Sequence, residues 1–250
     1  MLNIVVPMAG AGSRFALQGF KDPKPLIPVS GKPMIQWVID NLTPTEPHRF
    51  IFVCQRAHAG QYELASKLQS WAPYSELILL DGITEGAACT VLTASELIDN
   101  DDQLMIANSD QYVDINIDDY LTASRTGGLD GLIMTMRADD PKWSFVTCDA
   151  QGRVTTVVEK QVVSNEATVG IYNFARGSDF VTASKEMIAR NERVNGEFYV
   201  APVYNELISQ NKYFGIFNIG IEGQGMHGLG TPADLARFLE HPVSQKHAEA

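Results

Sequence analysis

Residues 2–35, LNIVVPMAGAGSRFALQGFKDPKPLIPVSGKPMI, place a glycine loop, an arginine and a lysine directly behind a short apolar run. The run Leu2 to Val6 is branched and apolar except at Asn3, as suits a strand covered on both faces, and Pro7 ends its ladder. Gly10 and Gly12 carry no side chain where backbone N–H groups would approach phosphate oxygens, and Arg14 and Lys24 add cationic charge. Together these features suit a triphosphate. The alternative, a plain strand-to-helix turn bearing surface charges, requires all of them to coincide by chance in one segment.

Two familiar phosphate loops are excluded. A dinucleotide fingerprint needs a third glycine where Phe15 stands. In a Walker loop, Gly31-Lys32 would be followed by Ser or Thr and preceded by a glycine five positions earlier, whereas Pro33 and Leu26 occupy those places.

The segment resembles the sugar nucleotidyltransferases, or nucleoside-diphosphate-sugar pyrophosphorylases, whose signature is a strand, a G-x-G-x-R loop and K-P-L-I-P-V-x-G-K-P-M-I. Gly10, Gly12, Arg14, Lys24, Pro25, Leu26, Pro28, Gly31, Lys32, Pro33, Met34 and Ile35 carry the match. The resemblance implies an α/β, GT-A-like three-layer fold around a predominantly parallel mixed sheet.

The pattern along the chain agrees with that order. Strands at Leu2 to Val6, Arg49 to Cys54, Glu76 to Leu80 and Gln103 to Ala107 alternate with helices. These start at Pro33 and run over Ala59 to Trp71 and Ala87 to Ile98. Further on, Leu129 to Met136, Trp143 to Thr147, Arg153 to Val158 and Thr168 to Phe174 read as strands in close succession, with Asp149 to Gly152 as a turn. Helices over Ser178 to Arg190 and near Glu197 to Ile208, a strand at Tyr213 to Ile219 and a helix opened by Thr231-Pro232 complete the chain. No linker divides it. We expect one domain over residues 1–250, with a nucleotide lobe to about residue 125 and an acceptor lobe beyond.

The 250 residues, 45% hydrophobic, suffice for one sizeable core, and no hexapeptide period signals an appended helical repeat domain. A formal charge of -11 and a pI near 4.8 argue against nucleic-acid or anionic-membrane partners. No stretch approaches spanning length and Met1 leads straight into a strand, so the expected location is cytoplasmic; a homo-oligomer stays open. Cys54, Cys89 and Cys148 fit reduced thiols, and His48, His58, His227, His241 and His247 show no ligand spacing.

Asn108-Ser109-Asp110 stands at the carboxyl end of an expected buried strand, the edge where open α/β sheets bind ligands. Magnesium takes one or two carboxylates with phosphate oxygens and water, so Asp110 is the candidate metal ligand; a turn or capping aspartate is the alternative. In Asp81 to Thr90, small residues would let a base lie against a helix start, or would let that helix start pack tightly on the sheet.

The resemblance assigns nucleotide contacts to Met8, Ala9, Gly10, Ala11, Gly12, Ser13, Glu85, Gly86, Ala87 and Ser109, and catalytic charge to Arg14 and Lys24. It assigns acceptor contacts to Asn108, Glu159, Lys160, Gly170 and Glu197, with Gly170 leaving room for the ligand. Relatives specific for dTTP or UTP often carry glutamine where this chain has Cys89, which favours CTP. Gln161 replaces the proline of the E-K-P segment. Gly228 replaces the aspartate of W-x-D-x-G-T, often a second metal ligand, leaving Asp110 alone or joined by Glu197 or Glu222.

The implied activity is transfer of a nucleoside monophosphate from an NTP to a small phosphorylated acceptor with magnesium, in a capsule or surface-polysaccharide setting. A GT-A glycosyltransferase would carry a D-x-D pair, but Gln111 and Tyr112 follow Asp110. A non-catalytic nucleotide sensor would have little use for Arg14, Lys24 and Asp110 together.

Overall fold

The computed structural model describes residues 1–246, so His247 lies outside the described residues. Among the described residues thirteen strands follow one another: β1 (Leu2–Pro7), β2 (Pro28–Val29), β3 (Lys32–Pro33), β4 (His48–Gln55), β5 (Glu76–Leu80), β6 (Gln103–Ala107), β7 (Gln111–Val113), β8 (Gly131–Arg137), β9 (Ser144–Cys148), β10 (Val154–Glu159), β11 (Glu166–Phe174), β12 (Phe214–Glu222) and β13 (Gly225–Gly228). Eleven of them form one mixed sheet in the order β5-β4-β1-β6-β11-β8-β12-β13-β7, with β9 joined to β11 and β10 to β9. β2 and β3 make a separate hairpin.

The apolar runs explain the layers. In β1, Ile4 and Val6 join one buried cluster while Val5 joins another on the opposite face. β4 divides in the same way, Phe50, Phe52 and Cys54 against Ile51 and Val53. A parallel strand buried on both sides needs apolar residues on both faces, which is why alternation is missing from the sequence there; the buried exception in β1, Asn3, accepts from Arg49 Nε at 2.7 Å. Met34–Leu42 buries Met34, Ile35, Trp37, Val38, Ile39 and Leu42. Among the described residues, no helix is long and apolar enough to cross a membrane.

β1 lies between β4 and β6, parallel to both. From β1 the chain builds outward through β4 and β5, then returns to the other side of β1 as β6. That reversal leaves a crevice at the carboxyl ends of β1 and β6, where the glycine loop and Asn108-Ser109-Asp110 emerge.

Several expected helices break. Ala59 to Trp71 is two helices, Arg56–Gln61 and Leu64–Trp71, parted at Glu63 with φ 52°. Ala87 to Ile98 also divides, into Ala87–Leu92 and Ser95–Ile98. The helix expected from Glu197 starts only at Val203, after Pro202, because the Phe198 backbone is committed elsewhere: its N–H donates to Glu85 O at 2.8 Å and its carbonyl accepts from Ala88 N at 3.0 Å. The turn at Asp149 to Gly152 forms as expected, Gly152 N–H donating to Asp149 O at 3.0 Å with Gly152 at φ 78°.

Candidate active site

Two features fix the glycine loop behind β1. The ladder does not end at Pro7 as expected: Pro7 pairs with Val53 and Met8 N–H continues to Val53 O at 2.8 Å, while the Gln55 amide donates to the Ala9 carbonyl at 2.8 Å. Met8 and Ala9 are each 4% exposed, so only their backbone can face a ligand. Gly10 and Ala11 are exposed, and Gly12 turns the chain at φ 60° into the single helical turn Ser13–Ala16. Arg14 stands exposed on that turn, with no ion pair among the described residues.

Lys24 reaches across from the tight turn Lys24–Leu26. Its Nζ donates to Asp110 Oδ2 at 2.7 Å, closing the loop against the end of β6. Both side chains remain about a quarter open, at 24% and 22% exposure, so the pair is accessible to a ligand. Asp110 is held further by Leu229 N–H, which donates to its carbonyl at 2.8 Å, and a Cβ on Gly230 would lie 2.9 Å from its Oδ2. Gly10, Ala11, Gly12 and Lys24 line a cleft of about 240 Å³ with Lys21, Asp22 and Tyr62.

A second cleft of about 400 Å³ gathers Arg14, Ala87, Asn108, Glu159, Lys160, Gly170 and Glu197, seven of the residues singled out from sequence. Its floor is dense. The Ser144 hydroxyl donates to Glu159 Oε2, and the Thr168 and Tyr172 hydroxyls lie 3.0 Å apart. Burial raises the Glu159 carboxyl above its usual range, with the nearby Glu197 charge adding to the effect and Ser144 and Lys160 opposing it. Burial, then the Glu159 charge, raises the Tyr172 phenol in turn. At the rim, the Lys160 ammonium sits 4.5 Å over the Tyr199 ring and donates to its hydroxyl, which donates to Glu197 Oε2 at 2.6 Å.

The space beside two glycines is already filled. A Cβ on Gly170 would fall 2.1 Å from Asn108 Nδ2 and 2.7 Å from Gln111 Oε1. Gly170, at φ 79°, therefore makes room for Asn108 and Gln111 rather than for a ligand, although it still lines the cleft. A Cβ on Gly86 would strike Phe198 O at 2.3 Å, so tight packing of the helix start against Phe198 accounts for that glycine. Ser109 is 5% exposed, and Glu85 pairs with Arg193 at 2.7 Å. Cys89 is half-buried and its thiol is raised by burial.

The sequence reading left Lys142, Trp143, Ser144, Thr168, Tyr172 and Tyr199 out of the site, yet all line the same cleft. Thr168 and Tyr172 stand on the expected strand Thr168 to Phe174, and Tyr199 within the helix expected near Glu197. Ser144 and Trp143 gave no signal, because their role depends on β9 lying beside β10 and β11.

The donor set suits a magnesium ion carried with a triphosphate. Asp110 offers one carboxylate, 22% exposed beside Lys24, and Gly228 offers none. Glu222 is engaged by Lys142 at 3.1 Å and Arg237 at 3.4 Å, and Glu197 by Tyr199. Among the described residues no group of three or more His, Cys, Asp or Glu stands together as a cage. The Asp234 carboxyl carbon lies 3.7 Å from where a Cβ at Gly228 would be.

A glycine loop and a strand-end aspartate joined by a lysine across a switch point define a phosphate-handling α/β protein. The nucleotidyl transferase family matches residues 4–218, and the chain belongs to that family. It is 28% identical over 269 aligned residues to the bifunctional protein GlmU of Alcanivorax borkumensis, covering 99% of this chain and 53% of that protein. The chain thus spans about half the length of the curated relatives it matches. A nucleoside-diphosphate-sugar pyrophosphorylase from Vibrio cholerae RC9 superposes with a TM-score of 0.77 at 24% identity, over 94% of this chain and 99% of that one. The inositol-1-phosphate CTP transferase of T. maritima gives 0.74 at 14% identity, over 95% and 94%. These likenesses establish the fold.

Proposed function

We propose that the chain transfers a nucleoside monophosphate, from a pyrimidine NTP with CTP favoured, to a small phosphorylated acceptor such as a sugar phosphate, releasing pyrophosphate. The observation that carries this reading is the Lys24–Asp110 contact at 2.7 Å between the glycine loop and the end of β6, with the acceptor cleft opening beside Arg14. An acceptor phosphate oxygen attacks the α-phosphorus in line. The new P–O bond forms as the bond to the β-phosphate oxygen breaks, a step limited by alignment and charge rather than proton transfer.

Lys24 neutralises charge where two anions meet, and Arg14, without an ion pair among the described residues, receives the leaving pyrophosphate. Asp110 would hold magnesium, which supplies charge neutralisation on the triphosphate. Lys160 holds the acceptor phosphate, and Glu159 with the hydroxyls around it receives the acceptor's polar groups. Supply of activated precursors for capsule or other surface polysaccharide, in the cytoplasm, is the setting we propose.

Four NTPs screened against a panel of phosphorylated acceptors, read by pyrophosphate release, test the reading. Turnover with CTP or another pyrimidine triphosphate is expected. Turnover confined to ATP or GTP overturns the base assignment, and none with any pair overturns the activity.

A further inference from the structure

The loop bearing Glu85, Gly86 and Ala87 and the segment bearing Glu197 and Tyr199 belong to different ends of the proposed reaction, yet they are fastened together. Phe198 exchanges backbone hydrogen bonds with Glu85 and Ala88, and Gly86 leaves no space between them. Phe198 itself is 1% exposed and anchored in the core. Just before it, Val194 and Glu197 exchange N–H···O bonds of 3.0 Å each around Asn195 and Gly196, at φ 49° and 82°, the two left-handed positions of a type I′ turn.

Arg193 ties this turn down at four points. Its Nε donates to Asn191 Oδ1 at 2.6 Å and its Nη1 to Gly196 O at 3.0 Å. Its Nη2 donates to Glu85 Oε2 at 2.7 Å, while the guanidinium lies 4.1 Å over the Phe198 ring. From the far end of the turn, Glu197 continues through Tyr199 to Lys160 in the acceptor cleft.

We propose that Arg193 is a positioning residue that couples the nucleotide side to the acceptor side, so that nucleotide at the Glu85 loop sets the placement of Glu197 and Tyr199; this rests on the reading of the cleft given above. An exposed ion pair contributes little stability by itself. A planar fork that also binds a turn carbonyl and stacks on an anchored ring gives orientation instead. Movement of the Glu85 carboxylate is then passed to the turn, which pivots on Phe198.

The test uses the full chain with a single 3-fluorotyrosine in place of Tyr199 and an equimolar mixture of CTP, UTP, ATP and GTP with magnesium as the nucleotide probe. In the parent the mixture shifts the fluorine resonance. In R193A that response falls by about fivefold or more, nucleotide affinity by calorimetry stays within about threefold, and E85R/R193E regains about half of the response. An absent response in the parent, an unchanged one in R193A, or a response lost together with nucleotide binding overturns the proposal. A ligand-free arm keeps the clamp separate from the cleft reading: hydrogen exchange at the Phe198 and Ala88 amides accelerates together in R193A by about tenfold or more. No acceleration at either amide overturns the clamp. Failure of the cleft reading shows instead in the parent, as no heat with any NTP.

Discussion

On the glycine-loop side of the cleft, Arg14 is exposed and without an ion pair among the described residues, and Lys24 shares one partly open contact with Asp110. Across the cleft, Ser144, Glu159, Thr168 and Tyr172 are all under a tenth exposed, and each hydroxyl or carboxyl already has a partner. The first wall keeps its charge available, as the proposed triphosphate ligand would require. The second is organised beforehand, as a surface must be to select among hydroxyl patterns, because a buried polar group left unpaired costs about 1 to 3 kcal/mol. Substitutions on the first wall should therefore change rate at constant stability, and those on the second should change stability as well.

The largest effect is expected from R14A and K24A, each lowering kcat/KM by about a hundredfold or more, since the proposed reaction sets both residues against charge on the reacting phosphates. Melting temperatures should stay close to the parent, because R14A breaks no ion pair among the described residues and the partly open Lys24–Asp110 pair is worth about 1 kcal/mol. Activity within a few-fold of the parent would place that residue outside the reaction, and a large loss of melting temperature would erase the contrast between the walls.

D110N should weaken nucleotide binding by about tenfold with magnesium and much less without it. Calorimetry in both conditions decides, and an unchanged magnesium dependence would put the metal elsewhere.

On the second wall, G170A is expected to destabilise the protein by about 1 to 3 kcal/mol, from the left-handed backbone and the collision with Asn108. Denaturant unfolding would measure it. A loss under about half a kcal/mol would show that Asn108 moves freely and that this wall is looser than its hydrogen bonds suggest.

The smallest effect concerns Glu159. Its folded pKa is raised by burial, so its contribution to stability is present below the ordinary glutamate pKa of about 4.3 and is lost as pH rises through the raised value. E159Q should therefore gain melting temperature relative to the parent as pH climbs from about 4, then keep a constant difference. A pH-independent difference would mean that Ser144 and Lys160 offset the burial fully.

How much of this was legible in sequence depended on range. The parallel half was readable because continuous apolar runs and a glycine loop are local signals, and Asn108 to Asp110 followed from standing at a strand end. β7 and β13 were missed: Gln111–Val113 and Gly225–Gly228 are three and four residues long, and they gain meaning only from distant pairing, β7 with β13 and β13 with β7 and β12. The helix expected from Glu197 failed for a similar reason, as the competing bonds come from Glu85 and Ala88, over a hundred residues earlier. Gly86 and Gly170 stood out in the sequence for the space they would leave, and other parts of the chain fill that space.

The position of β6 has a consequence for how the molecule is made. One of its edges pairs with β1, but the other waits for β11, which runs antiparallel to it and ends only at Phe174. A nascent chain emerging from the ribosome can assemble β5, β4, β1 and β6 while that second edge still offers unpaired N–H and C=O groups to any neighbouring strand. Arrival of β11 removes the exposed edge, and through the Asn108 N–H to Gly170 carbonyl bond of 3.0 Å the same event seats the site at the end of β6. Protection from misassociation and completion of the site thus fall at the same point in synthesis.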